Sequence, residues 1–379
     1  MKRGKVMFLK DELLEKIRER ASYYDENNLF PEEDYKELKE AGYYRLFAPK
    51  NKNGFGYSLK EVAREQTRLA MYAPATALGI NMHQIIAGVG NYLVKHGNEK
   101  GNLIIDAVSK DQLIAFGISE PNNDKVLFGS ISEAIKKDND YLFKGQKIFV
   151  SLAKKFDKIL TYANDSTGPW SVFAILDRSS EMEVKNDWNT LGMRGTQSNS
   201  IYLNNVHVKD TNIISKIKPG PTKDPIILGI FAYFEILLAA TYHGIGKRAL
   251  ELGIERVKSR NSVSNNNMYS NDKDIRWRIA EAAITLDGIE TQIDHLSDLI
   301  ENDINDPFIF QKLSTIKNKS VETSKGALDE IIRASGGRSY YNDFELSRLY
   351  RDVLAGIFQP SDQESLHNAW ANALLGPIK

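Results

Sequence analysis

The sequence contains no cysteine. That excludes disulfides, thiolate metal sites and cysteine nucleophiles together, and it suits a reducing compartment. There is no surplus of charge either, since Lys+Arg and Asp+Glu each total 50. Nucleic acid is therefore not an expected partner, because phosphate binding needs an excess of basic residues. The opening MKRGKVMFLKDELLEKI is basic, but no apolar run of signal-peptide length follows it. The longest apolar run, Pro225 to Ala240, is interrupted by Glu235 and is shorter than a membrane span. A cytoplasmic location without a membrane span is expected. His83, His96, His207, His243, His295 and His367 are scattered with no pair at ligand spacing, so no metal site is expected. A GxSxG elbow, a GxxxxGK[ST] loop, internal repeats and low-complexity segments are all absent.

What remains is a globular chain of 379 residues, long enough for two or three packed units. Its opening part predicts helices. Phe8, Leu9, Leu13, Leu14 and Ile17 recur at helical spacing behind the acidic Asp11 and Glu12. Pro31 opens a second helix, Glu32 to Ala41, and a turn-rich loop covers Pro49 to Tyr57. Two more helices are expected over Leu59 to Tyr72 and Ala75 to His96, with Pro74 as the break; the second is apolar throughout and hence buried.

From Asp111 to Val208 the pattern becomes short, alternating and β-branched. LIAFGI, GSISEAIKK, DYLFKGQKIFV, KILTYAN, WSVFAILD and SIYLNNVHV are six strand-sized runs, with a hairpin turn at Asp138-Asn139-Asp140. After the breaker Lys218-Pro219-Gly220-Pro221 the helical period returns. Helices are expected over Ile226 to Arg260, Asp274 to Asn302, Pro307 to Ala334 and Glu345 to Gly356. The expected fold is α+β: an N-terminal helical domain (1–110), a central β-barrel or sandwich (111–218) and a C-terminal helical bundle (219–379).

Four words stand inside this frame: Ile118-Ser119-Glu120-Pro121; Gly145-Gln146-Lys147-Ile148-Phe149-Val150-Ser151; Leu191-Gly192-Met193-Arg194-Gly195-Thr196-Gln197-Ser198 with Asn205-Val206-His207-Val208 after it; and Gly336-Gly337 followed, thirteen residues later, by Arg351-Asp352. In this order they resemble the acyl-CoA dehydrogenase superfamily over nearly the whole chain. The resemblance implies FAD between the β-domain and the C-terminal helices. Ser119 and Ser151, where the family commonly has threonine, would donate to the flavin ring. Phe149, in place of the usual tryptophan, would offer it an aromatic face. Gly336 and Gly337 would permit close approach at the adenine end, although alone the pair would serve equally as a helix C-cap. Arg260 would reach the FAD pyrophosphate of a neighbouring subunit, consistent with a homotetramer, and is otherwise an ordinary arginine at a helix C-terminus.

Three departures from the family pattern follow. The glycine-rich phosphate loop is replaced by the shorter Pro121-Asn122-Asn123-Asp124, and the usual Arg-x-x-Phe-Gly by Arg260-Asn261-Ser262-Val263. Most consequentially, Pro360 stands where the family's commonest catalytic glutamate would be. A dehydrogenase needs a carboxylate to take the α-proton while hydride leaves the β-carbon. The candidate base is then Glu235, the single charge in the run Ile226 to Ala240, whose burial would raise its pKa. It lies one residue beyond Phe234, the alternative family position for the glutamate. Asp362 is a weaker candidate.

The resemblance implies α,β-dehydrogenation of an acyl-CoA or related thioester, as in fatty acid metabolism, with electrons passed to an electron-transfer flavoprotein or similar acceptor. Two alternatives stand beside it. One is a flavin-dependent monooxygenase of the same superfamily, with His83 as its histidine and Gln359 near the place of a second. The other is a non-catalytic flavin- or acyl-CoA-binding homologue.

Overall fold

The computed structural model describes residues 7–220, 222, 224–264 and 266–378; the basic residues 1–6 and Pro221 of the breaker lie outside them. Five helices come first. α1 (Asp11–Glu26) turns Leu14 and Ile17 inward, and α2 (Glu32–Glu40) follows Pro31. α3 (Leu59–Tyr72) starts with a capping box in which Ser58 and Glu61 satisfy each other's backbone N–H groups. α4 (Pro74–Lys95) carries Pro74 within its first turn instead of ending before it, and is buried along nearly its whole length. α5 (Gly101–Ser109) carries no sequence expectation, because a short apolar run does not distinguish strand from helix.

The central part is one eight-stranded sheet: β1 (Ile114–Gly117), β2 (Glu133–Lys137), β3 (Asp140–Lys147), β4 (Lys158–Asp165), β5 (Ser171–Asp177), β6 (Met182–Val184), β7 (Ile201–Val208) and β8 (Ile213–Ile217). The order is β6-β7-β3-β2-β4-β5-β8, with β1 parallel to β4. β6 and β8 add to the six expected runs; β6, at three residues, is too short to show alternation, and β8 carries no sequence expectation. The β2–β3 hairpin turns at Asp138-Asn139 as expected, with Lys137 opposite Asp140. At the irregularity in β3 a side chain on Gly145 would place its Cβ 2.2 Å from Ser132 Oγ, so glycine there is a steric requirement.

The C-terminal part is built on α6 (Pro225–Lys258), capped by Asp224 and, at 34 residues, about 50 Å long. By length and composition α6 is the one described helix able to cross a membrane; here its apolar surface is buried against α3, α4 and α9. The single helix expected over Asp274 to Asn302 is instead two, α7 (Lys273–Leu286) and α8 (Ile289–Glu301). Asp287 is extended and Gly288 left-handed at φ 82°, which ends one helix and starts the next. α9 (Ile309–Ser335) and α10 (Glu345–Val353) follow, and from Leu354 to Phe358 the expected continuation of α10 tightens into a 3₁₀ turn. α11 (Gln363–Leu375), with no sequence expectation, closes the chain on α9.

Candidate functional site

The first two words are tied by one buried ion pair. Glu120 and Lys147 are both inaccessible, with Lys147 Nζ 2.6 Å from Glu120 Oε1. The carboxylate also accepts from Ser130 Oγ, from Ser132 Oγ at 2.6 Å, from Ile131 N at 2.7 Å and from Asn123 Nδ2 at 2.7 Å. Burial by itself would raise the Glu120 pKa, but Lys147 and the two hydroxyls outweigh it and hold it at about 2. This knot fixes the chain on either side of it. Ser119, just before Glu120, accepts from Ile148 N at 2.9 Å through its carbonyl. Phe149 and Ser151 follow directly on Lys147's strand.

Phe149 projects outward with 65% of its surface exposed, from a backbone at φ 56°, and meets Trp188 edge-on at 6.3 Å between ring centres. Ser151 is buried; its hydroxyl lies 2.8 Å from Ser198 Oγ, which lies 2.8 Å from Thr196 Oγ1. The structure thus brings Ser119, Phe149 and Ser151 to one rim of the sheet, beside the third word.

That third word is gripped by the fourth. Met193 N donates to Asp352 across 2.5 Å, and Arg351 donates to Leu191 O at 2.9 Å while pairing with Asp25 of α1. Arg194 reaches the carbonyl of the same Asp25 at 2.7 Å. A Cβ on Gly192 would sit 2.2 Å from Arg351 O, so only glycine allows the approach. Burial pushes the Asp352 carboxyl up to about 6, against the pull of Arg348.

Arg260, Gly336 and Gly337 are also brought together, but elsewhere, where α6 and α9 end. Arg260 Nη1 donates to Ser335 O at 2.7 Å, its guanidinium lies 4.4 Å from the Tyr269 ring centre, and a Cβ on Gly336 would meet it at 3.1 Å. The buried hydroxyls Ser335 Oγ and Ser339 Oγ have no hydrogen-bond partner. No hydrogen bond among the described residues links this cluster to the Ser119–Phe149–Ser151 rim.

Glu235 joins neither group. It is fully buried, and its Oε1 accepts from Ser361 N at 3.1 Å and Ser361 Oγ at 2.8 Å. Burial pushes its carboxyl up, against the pull of Lys317 and the Ser361 donors. The neighbouring Phe234 is the residue that turns toward the β-domain, with its ring 6.4 Å from Phe116 of β1. Asp362 caps α11 through Ser365 N at 2.8 Å. His83 is wholly buried between two elements: Nε2 pairs with Tyr44 O at 2.9 Å and Nδ1 accepts from Ile114 N at 3.0 Å. Burial lowers its pKa to about 4, so it is a neutral structural histidine.

Several partners were not predicted from sequence. Glu120, Lys147 and Asp352 lie inside the quoted words, yet nothing local shows that their charges are spent on one another or on a distant backbone. Lys317 carried a faint signal, standing in the inward stripe Leu313, Ile316, Ser320 and Ser324 of α9.

The donor set fits a flavin. An exposed aromatic and buried hydroxyls meet on one rim, and an arginine stands beside two unpartnered serine hydroxyls, a combination suited to phosphate or ribose oxygens.

Three family models match in chain order: acyl-CoA dehydrogenase N-terminal domain over residues 8–101, middle domain over 115–206 and C-terminal domain over 236–359. YdbM of Bacillus subtilis (strain 168) is 24% identical over 95% of this chain and 94% of its own. Isobutylamine N-hydroxylase of Streptomyces viridifaciens is 26% identical over 56% of this chain and 58% of its own. The solved structure of KijD3 in complex with FMN and a dTDP-linked amino sugar shares the fold, with a TM-score of 0.87 at 19% identity over 97% of this chain and 92% of that one.

Proposed function

The chain belongs to the acyl-CoA dehydrogenase superfamily of flavin oxidoreductases, and from that premise we propose that it is a flavin-dependent monooxygenase of a small, largely apolar substrate. The observation that carries this reading is the direction of Glu235. Removal of an α-proton requires a carboxylate within hydrogen-bonding reach of the substrate carbon. Glu235 is wholly enclosed, with Oε1 bonded to Ser361 and Oε2 buried without a partner, Phe234 faces the β-domain in its stead, and Pro360 fills the family's other base position. Oxygen transfer makes no such demand. It requires an apolar surface that can be closed to water, and Phe149, Leu191 and Phe358 are exposed apolar side chains available to form one.

A bound flavin would supply two-electron redox chemistry at its ring. The protein would hold that ring against Phe149 and near Ser119 and Ser151. Arg260 with Ser335 and Ser339 would take the phosphate and adenosine end of the FAD of a neighbouring subunit, in a homotetramer. A cytoplasmic location completes the proposal.

A second reading is favoured by the ordered match of all three acyl-CoA dehydrogenase models. It is α,β-dehydrogenation of an acyl-CoA thioester with transfer of electrons to a flavoprotein acceptor. One experiment separates the two. Purified protein is titrated anaerobically with a panel of acyl-CoAs while the flavin absorbance is followed; it is then supplied aerobically with an NADH-dependent flavin reductase and apolar aromatic or amine substrates. Oxygenated product without anaerobic bleaching supports the monooxygenase. Bleaching by a thioester supports the dehydrogenase and overturns it. Bound flavin with neither response leaves a non-catalytic binding protein.

A further inference from the structure

Two buried charges in the C-terminal bundle spend all their hydrogen bonds on a single turn. Lys317 of α9 donates to the carbonyls of Gly356, at 2.7 Å, of Ser361, at 3.1 Å, and of Gln359. An ammonium has three donors, so all are used. Glu235 of α6 accepts from both the N–H and the hydroxyl of Ser361, and Ser314 of α9 lies 2.9 Å from that hydroxyl. Tyr242, two turns along α6, donates to Gln359 Oε1 at 2.9 Å. Glu120 and Lys147 touch each other directly; Glu235 and Lys317 attract each other without an ion-pair contact and both bond to residues 356–361.

Burying two charges is costly and is offset only where their hydrogen bonds are well placed; Lys317 uses all three of its donors, whereas Glu235 Oε2 is buried without a hydrogen-bond partner. Here the return is a turn whose outer face presents the aromatic ring of Phe358, 81% exposed. Its distance from the β-domain loop is bounded by the chain. Asp352 and Arg351 grip the Leu191–Met193 loop, and six residues of α10 and 3₁₀ turn then carry the chain about 10 Å to Phe358. Leu191 is itself 63% exposed, and Trp188 connects this loop to Phe149, its Nε1 donating to Met193 O at 3.2 Å. Exposed apolar side chains from three separate segments are thus all tied, through short stretches of chain, to the one Met193–Asp352 contact.

We propose that Lys317 and Glu235 are positioning residues that pin the turn 356–361 so that Phe358 closes the open side of the flavin's apolar mouth. The proposal rests on the flavin site placed above, and on neither choice of reaction.

The test uses the full chain loaded with flavin, with sulfite as a small probe that bleaches the oxidised ring. Phe358→Ala is expected to speed bleaching several-fold, and Lys317→Met and Glu235→Gln to do the same. Adding Phe358→Ala to Lys317→Met should bring no further gain, since both open the same cover. Tyr340→Ala, another exposed aromatic but near Arg260, should leave the rate unchanged. Hydrogen exchange of the peptide spanning 354–362 should quicken about tenfold or more in the Lys317 and Glu235 variants and remain at the parent rate in Phe358→Ala. Should Lys317→Met not fold, the isosteric Glu235→Gln carries both measurements. Parent-rate bleaching in Phe358→Ala overturns the cover, and parent-rate exchange in Glu235→Gln overturns the anchoring. Loss of turnover in Glu235→Gln with unchanged exchange would instead make Glu235 the base. A protein that binds no flavin removes the cover, while exchange still judges the anchoring.

Discussion

The backbone N–H of Met193 donates to the carboxylate of Asp352 across 2.5 Å, joining segments 159 residues apart. This contact docks the β-domain on the C-terminal helices. It also ties the segment carrying Leu191 to the one that leads to Phe358, the apolar side chains we place at the mouth of the site. The other carboxylate oxygen of Asp352 is buried without a partner.

Asp352→Ala should cost about 1–3 kcal/mol, because Met193 N–H is left buried and unpaired. Asp352→Asn keeps the acceptor and should behave differently with pH. The folded pKa of about 6 exceeds the ordinary carboxylate value, so between about pH 4 and 6 the native state holds more protons than the unfolded one. Raising the pH through that window therefore lowers the parent's stability, by up to about 3 kcal/mol, and the asparagine variant should lack that slope. Urea denaturation at stepped pH gives both quantities.

Glu120→Gln should be severe, about 3–5 kcal/mol, since it strands the Lys147 charge in the core. Glu120→Gln with Lys147→Met should recover most of the loss. Equal losses in the single and double variants, measured by chemical denaturation, would refute the pairing.

Acid should act in the opposite sense through Glu120. Its folded pKa of about 2 lies below its ordinary value of 4.5, so its contribution is complete above about pH 4.5 and disappears as the pH falls toward 2. The difference amounts to about 3 kcal/mol. Glu120→Gln should lose this dependence, which near-neutral and acidic melts can compare.

Arg260→Ala should weaken FAD about ten- to a hundred-fold if the guanidinium meets phosphate. Arg260→Lys should recover only part, because an ammonium lacks the bidentate fork. The check is flavin retention on dilution, with the released flavin identified chromatographically. Equal retention in all three proteins would detach Arg260 from the cofactor.

Much of this protein was written locally. The order of helices, sheet and helices follows from a change of period at about residue 111 and back again after residue 218. The words that carry the family likeness are short and contiguous, and their glycines at 145 and 192 mark places where a Cβ would collide with a distant segment. The break at Asp287-Gly288 was concealed by a continuous helical pattern, and β6, at three residues, was too short to show alternation. Only the folded chain decided which way the charges point. One residue turns a helix by about 100°, so Phe234 and Glu235 face different neighbours although both lie in one apolar run. Likewise Lys147, Lys317 and Asp352 acquire their roles from partners 27 to 159 residues away, and no local pattern encodes those distances.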